Sequence, residues 1–333
     1  MTEKNIRMSH GAGGLSSSRL IKKIILKYFT HRTLKKLEDS AELKIKENNL
    51  AFTTDSYVIQ PLFFPGGDIG KLAIYGTVND LAMKGAVPGF IAFSMIIEEG
   101  FPIKDLKRIL KSAAAAARKA RVAVVCGDTK VVEKGKADKI FITTSGVGVI
   151  KIPLSKDKIK PGDLVLVSGT VGDHGIAVMN ERLNLGLRSN IKSDCAPLNL
   201  LTRNLTGFKG ELRCMRDPTR GGVVSVLNEI IDDTELGIVL DEKKIPIKKE
   251  VIGVSEILGV DPLYIANEGK LIAVVSKKAG GRLLKKLRAH PLGKNAAIIG
   301  EVVDEPPGVW LKTRIGGIHP LLQTEAEGLP RIC

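Results

Sequence analysis

The segment Lys151-Ile152-Pro153-Leu154-Ser155-Lys156-Asp157-Lys158-Ile159-Lys160-Pro161-Gly162-Asp163 decides how the rest of the chain is read. Its two prolines, its glycine and its four lysines break helical and strand periodicity alike, so it marks a boundary between two blocks. A length of 333 residues agrees, because that is more than one hydrophobic core usually fills. Upstream, Leu20, Ile24, Ile25, Tyr28 and Phe29 recur at helical spacing and predict a helix over 19–37, with further helices at 69–83 and 103–120. Alternating and β-branched runs predict strands at 43–54, 90–98 and 140–150. Downstream, strands are expected at 164–168, 237–240, 270–276 and 296–303, and helices at 176–184, 223–232, 248–258 and 279–287. The fold class is therefore α/β (α+β) in two domains. The expected division is a glycine-rich segment and helix (1–38), an N-terminal domain (39–152), a C-terminal α/β domain (153–311) and a flexible tail (312–333) carrying Cys333.

Composition narrows the class. Hydrophobic residues at 44% and charged residues at 26% suit a soluble globular protein. The longest apolar stretches, such as 90–97, fall short of the ~20 residues that a membrane-spanning helix needs, and the N-terminus has no apolar run of the secretory type. A cytoplasmic location with no membrane partner is expected. The net charge of +15 fits an anionic ligand, nucleic acid, an acidic partner or a solvated lysine surface. The basic residues are scattered and aromatic content is 4%, so stacking platforms for single strands are not visible and nucleic acid is not expected. Cys126, Cys195 and Cys214 form no C-x-x-C pair and read as reduced packing residues.

Several short motifs carry chemistry. His10-Gly11-Ala12-Gly13-Gly14 precedes a predicted helix and offers bare backbone N–H groups to phosphates, although it is neither a P-loop nor a dinucleotide fingerprint. Asp55 lies at a strand's end, as a turn former or a ligand carboxylate. Asp80 lies in a helix whose apolar side holds Ala73, Ile74, Thr77 and Leu81, where a carboxylate is costly unless paired or metal-bound. Cys126-Gly127-Asp128-Thr129-Lys130 leaves a β-branched run with a hard oxygen ligand and a cation, which suits a metal-nucleotide or a plain turn. Arg220-Gly221-Gly222 opens a helix and can bind an anion. In Gly172-Asp173-His174-Gly175, Asp173 reads as an N-cap and His174 as packed or solvated. Glu268, between Asn267 and Gly269, is a turn residue or a general base. Pro330-Arg331-Ile332-Cys333 sets a thiol beside a carboxylate, so its reactivity depends on the site it visits. The thirteen residues beyond Pro320 reach ~45 Å if extended.

Taken together, these segments resemble the HypE family of hydrogenase maturation proteins, within the superfamily of aminoimidazole ribonucleotide synthetase and selenophosphate synthetase. The resemblance runs nearly end to end. Besides the motifs above it includes Thr54-Asp55-Ser56-Tyr57, Pro65-Gly66-Gly67-Asp68-Ile69-Gly70, Asn79-Asp80-Leu81-Ala82 and 217–222. Ile318 and His319 stand where that family leads one to expect an arginine. The resemblance implies a two-domain aminoimidazole ribonucleotide synthetase-like fold, whose N-terminal domain binds ATP and pairs its sheet in a homodimer. It also implies that HypF loads a carbamoyl group onto Cys333, which this chain then dehydrates with ATP to an S-cyanide. A HypC–HypD complex would receive that group for the iron of [NiFe]-hydrogenase. Under the same resemblance Asp55, Asp80 and Asp128 hold Mg2+. Gly11, Gly13, Gly14, Asp68, Lys130 and Arg220 serve the phosphates, Glu268 accepts a proton and Lys130 assists. A small-molecule ATP-dependent synthetase or kinase of the same superfamily is the alternative.

Overall fold

The computed structural model describes residues 4–10, 15–35, 49–184, 190–232, 234–323 and 332. In the first domain the chain runs through β1 (Leu50–Tyr57), a two-strand ribbon of β2 (Phe63–Phe64) and β3 (Gly67–Asp68), β4 (Ala86–Glu98), β5 (Ala123–Cys126), β6 (Thr129–Val132) and β7 (Ile140–Ile150). The sheet order is β1-β7-β4-β5, with β6 also on β4; β1 and β4 run antiparallel to β7, while β5 and β6 run parallel to β4.

Two helices cover this sheet for different physical reasons. Ile103–Ala120 is amphipathic. Ile103, Leu106, Leu110, Ala113 and Ala117 are buried at spacings of three and four, and Arg121 ends the helix in the left-handed region. Ile69–Met83 buries every residue except Lys71 and Asp80, because it lies between the sheet and the second domain. Asp68 caps its start, its Oδ1 accepting from the N–H groups of Gly70 (2.9 Å) and Lys71 (3.1 Å).

The second domain contributes β8 (Leu164–Val167), β9 (Leu212–Arg216), β10 (Gly237–Asp241), β11 (Ile272–Val275), β12 (Ala297–Val303), β13 (Gly308–Lys312) and β14 (Ile318–Pro320), in the order β14-β13-β10-β12-β8-β11-β9. Its longer helices are Asp173–Arg182, Gly222–Ile231, Lys249–Leu258 and Lys277–Arg288, with a short one at Asn199–Thr202. The domains share a core: Val178, Met179, Cys195 and Ala266 join the buried cluster that contains Phe64, Leu72 and Phe93. At the junction Asp163 takes both ends of Arg213, at 2.9 and 3.3 Å, and so ties the linker to β9.

Three sequence expectations change. The helix expected over 19–37 starts earlier and is interrupted: helical residues run from 15 to 28 with a wider turn at Ile21–Ile25, Phe29 then turns extended, a short helix follows at Arg32–Lys35, and 36–37 lie outside the described residues. Phe29 is buried against the Phe93 ring, 5.2 Å between centroids, and that contact outweighs continuing the helix. The strand expected over 43–54 is seen at Leu50–Tyr57, and 43–48 lie outside the described residues. The tail expected from 312 onward starts inside the sheet, since β14 pairs with β13 and Leu321 is buried with its N–H on the Val309 carbonyl at 2.7 Å. Three residues are too few to show periodicity, so only the partner strand reveals β14. Ile318 and His319 belong to that edge strand and are exposed.

Candidate active site

The site forms where β1 and the helix Ile69–Met83 face the second domain. Residues 51, 53, 55 and 57 share one face of β1. Thr53 Oγ1 donates to Asp80 Oδ2 at 2.9 Å, and Tyr57 stacks its hydroxyl over Gly76 of the same helix. A Cβ at Gly76 would lie 2.1 Å from that hydroxyl, so the approach of strand and helix requires glycine there. A cleft of about 690 Å³ opens beside this pair, lined by Phe52, Thr53, Asp80, Lys156, Arg216 and Asp217. That volume lies in the range of small-ligand sites.

From the second domain, the turn before β11 brings in Glu268. Two hydrogen bonds clamp its backbone: its N–H donates to Asp194 Oδ1 at 3.0 Å, and its carbonyl accepts from the Ala196 N–H at 3.2 Å. Asp194 Oδ2 also receives Lys270 Nζ at 2.9 Å. Asn79 reaches across from the first domain, donating to the carbonyls of Ala196 (3.1 Å) and Glu268 (3.4 Å) while its Oδ1 accepts from Leu198 N–H at 2.8 Å. Glu268 is buried, and its Oε1 has no hydrogen-bond partner.

The far end of the chain enters the same region. Ile332 is 4% exposed and belongs to the buried cluster that holds Phe64, Val178, Met179, Cys195 and Ala266. Its carbonyl lies 2.9 Å from His174 Nε2.

Electrostatics single out one carboxylate group. Burial pushes Asp80 up to about 6, with Asp55 adding to it and Thr53 opposing, and burial together with Asp80 pushes Asp217 up to about 7. Burial, then Asp217, Asp194, Asp55 and Asp80, hold Glu268 well above the carboxylate range. Asp55 is raised by burial, against which the Tyr57 hydroxyl, the Ser56 N–H and the Arg220 charge act. Asp194 goes the other way: burial would raise it, but Lys270, followed by the Glu268 N–H, holds it down. An oxygen-rich group of mutually raised acids with an orphaned Glu268 oxygen fits a hard divalent cation. Among the described residues, however, no three such side chains already close on one point.

The family descriptions for AIR synthase related protein match both halves, the N-terminal domain over residues 37–150 and the C-terminal domain over 160–312. Carbamoyl dehydratase HypE of Azotobacter vinelandii is 47% identical, covering 99% of this chain and 97% of that protein. The chain belongs to the HypE carbamoyl dehydratase family. Among solved structures, HypE in complex with ATP superposes with a TM-score of 0.94 at 41% identity, over 98% of this chain and 99% of that one. HypE from a HypE–HypF complex superposes with a TM-score of 0.81 at 47% identity, over 92% and 99%.

For a HypE-family chain the residues singled out by sequence divide into two sets. Asp55, Asp80 and Glu268 are brought within electrostatic reach of one another, and Arg220 within reach of Asp55. Asp128 and Lys130 stand apart from them at the start of β6, exposed and paired at 3.5 Å. Asp68 is occupied as a helix cap. Gly11, Gly13, Gly14 and Cys333 lie outside the described residues. Sequence reading missed Asp217 as a partner of Asp80, and it missed Ser193, Asp194 and Lys270; His174, read as packed or solvated, is packed, and its partners were not foreseen. No spacing links Asp194 to Lys270, and only the turn before β11 brings them together.

Proposed function

We propose that this chain carries a carbamoyl group on the sulfur of Cys333 and dehydrates it with ATP to an S-cyanide. The observation that carries the reading is the buried Ile332, whose carbonyl is bound inside the shared core beside the segment that clamps Glu268. The residue after Ile332 is the thiol. In the reaction, the carbamoyl oxygen attacks the γ-phosphorus of ATP, the bond from that phosphorus to the bridging oxygen breaks and ADP leaves. The two amide protons then leave the nitrogen as the carbon–oxygen bond breaks, so phosphate departs with the oxygen and S–C≡N remains.

Within this scheme Glu268 accepts a proton from the nitrogen. Its raised affinity for protons comes from burial and from the carboxylates of Asp217, Asp194, Asp55 and Asp80, so neutralising those carboxylates would favour its action as a base. Asp55 and Asp80, with Asp217 or Asp128, are the residues that would hold Mg2+, which would supply charge neutralisation for the phosphates. Lys130 and the glycine-rich segment with Gly11, Gly13 and Gly14 serve the phosphates. Loading is assigned to HypF, because a family member 47% identical is known in a HypE–HypF complex. The thiocyanate is passed to a HypC–HypD complex for the iron of [NiFe]-hydrogenase. Exposed Leu50, Phe52 and Ile96 on the sheet of the first domain support pairing of two copies there.

Intact-mass analysis after incubation with HypF, carbamoyl phosphate and ATP tests the reading. The expected result is a carbamoyl adduct confined to Cys333 that subsequently loses one water. Full ATP turnover by Cys333→Ala with a free metabolite as acceptor would instead establish a small-molecule synthetase or kinase.

A further inference from the structure

For a neutral ring the hydrogen bonding around His174 has one arrangement. The Ile332 carbonyl can only accept, so Nε2 carries the proton and Nδ1 is the acceptor. Ser193 Oγ, 2.8 Å away, donates to Nδ1 and in turn accepts from the Cys195 N–H at 3.1 Å. Burial lowers the proton affinity of His174, with Asp194 and the Ile332 carbonyl opposing, which agrees with a neutral ring. The ring is fully buried and stands edge-on to Phe64, 5.5 Å between centroids at 88°. Ser193 is itself fixed, its N–H bonded to the Pro65 carbonyl at 2.8 Å.

The same short segment therefore does two jobs. Ser193 and Cys195 set the tautomer of the imidazole that holds Ile332, while Asp194 and Ala196 clamp both sides of Glu268. The register between segment and turn has no slack, since a Cβ at Gly269 would lie 1.9 Å from the Asp194 carbonyl. We propose that His174 is a positioning residue for the end of the chain: its imidazole latches the carbonyl of Ile332 and, through residues 193–196, ties that residue to the backbone of Glu268. The latch deepens the proposed function and rests on Cys333 being the substrate carrier. It predicts a residue whose loss leaves loading by HypF intact and slows only the dehydration.

Full-length His174→Asn and His174→Gln separate position from bulk, because Gln places an N–H near Nε2 and Asn places one near Nδ1. The first readout is site-resolved alkylation of Cys333 by iodoacetamide without ATP or HypF. His174→Asn is expected to react on the order of tenfold faster than wild type, the worth of one buried hydrogen bond, and His174→Gln close to wild type. The second readout is single-turnover dehydration of protein already carbamoylated by HypF. Here His174→Asn is expected to be roughly 10²-fold slower, as a displacement of about 1 Å costs, with Gln restoring most of the rate. Equal alkylation and dehydration in wild type and His174→Asn overturns the latch. If neither variant folds, Ser193→Ala takes their place, and an alkylation rate equal to wild type overturns the latch there too. An adduct that never loses water in wild type, while alkylation still separates Asn from Gln, removes the dehydratase reading and leaves the latch standing.

Discussion

Asp80, Asp217 and Glu268 share a raised affinity for protons that burial and their mutual proximity produce. Each carboxyl has a higher proton affinity in the folded chain than the ordinary value of about 4 in the unfolded one. The folded state thus keeps protons that the unfolded state has shed, so the contribution is full below about pH 4 and is lost as pH rises through the folded values, about 6 for Asp80 and about 7 for Asp217. Thermal melts of metal-free protein are expected to show a midpoint that falls from about pH 5 to about pH 8. Asp217→Asn should flatten that slope, and added Mg2+ should raise the midpoint most at the alkaline end; a slope unchanged by Asp217→Asn would show that the carboxylates are not coupled in the folded chain. Glu268→Gln keeps the shape but cannot take a proton. Dehydration is expected to fall on the order of 10²- to 10⁴-fold with carbamoyl loading retained, as followed by intact mass.

Between elements, stability rests on close approaches that tolerate no added atom. Gly76 lets the helix Ile69–Met83 lie against Tyr57, whose ring carbon Cζ would be 2.9 Å from a new Cβ. Gly76→Ala is expected to cost about 2 kcal/mol in urea unfolding, because overpacking exceeds the gain in helix propensity. Tyr57→Phe in the same chain should recover part of that loss, and strict additivity of the two changes would argue against the contact. The link between Asp163 and Arg213 is of another kind, a nearly buried ion pair that fastens the interdomain segment to β9. Asp163→Ala leaves the guanidinium without its partner, and a loss on the order of 3 kcal/mol is expected from the same measurement.

For the whole molecule, the exposed face of the first sheet and the shared core between domains have separate roles. Phe52 is 71% exposed on that face, an unusual place for a large apolar side chain in the centre of a strand. Phe52→Lys is expected to convert a dimer to a monomer in sedimentation velocity, with the fold unchanged by circular dichroism; a monomer in the parent chain would refute sheet pairing. Among the described residues no helix is long and apolar enough to cross a membrane. The strand at 140–150 and the helix at 103–120 were legible at full length because each carries a periodicity of its own, and the helix at 69–83, buried nearly all round, was legible from the length of its apolar run.

What the sequence by itself determined is local. It gave the break at 151–163, the alternation of helices and strands on both sides, and the acidic and glycine-rich turns at strand ends, because these depend on neighbours a few residues apart. Tertiary structure alone decided that Asp217 joins Asp80, that residues 193–196 brace Glu268, and that His174 receives the carbonyl of Ile332, 158 positions away. Periodicity reports which side of an element faces a core and is silent about which distant element supplies it. A buried carboxylate or imidazole is therefore defined only once the chain has closed around it.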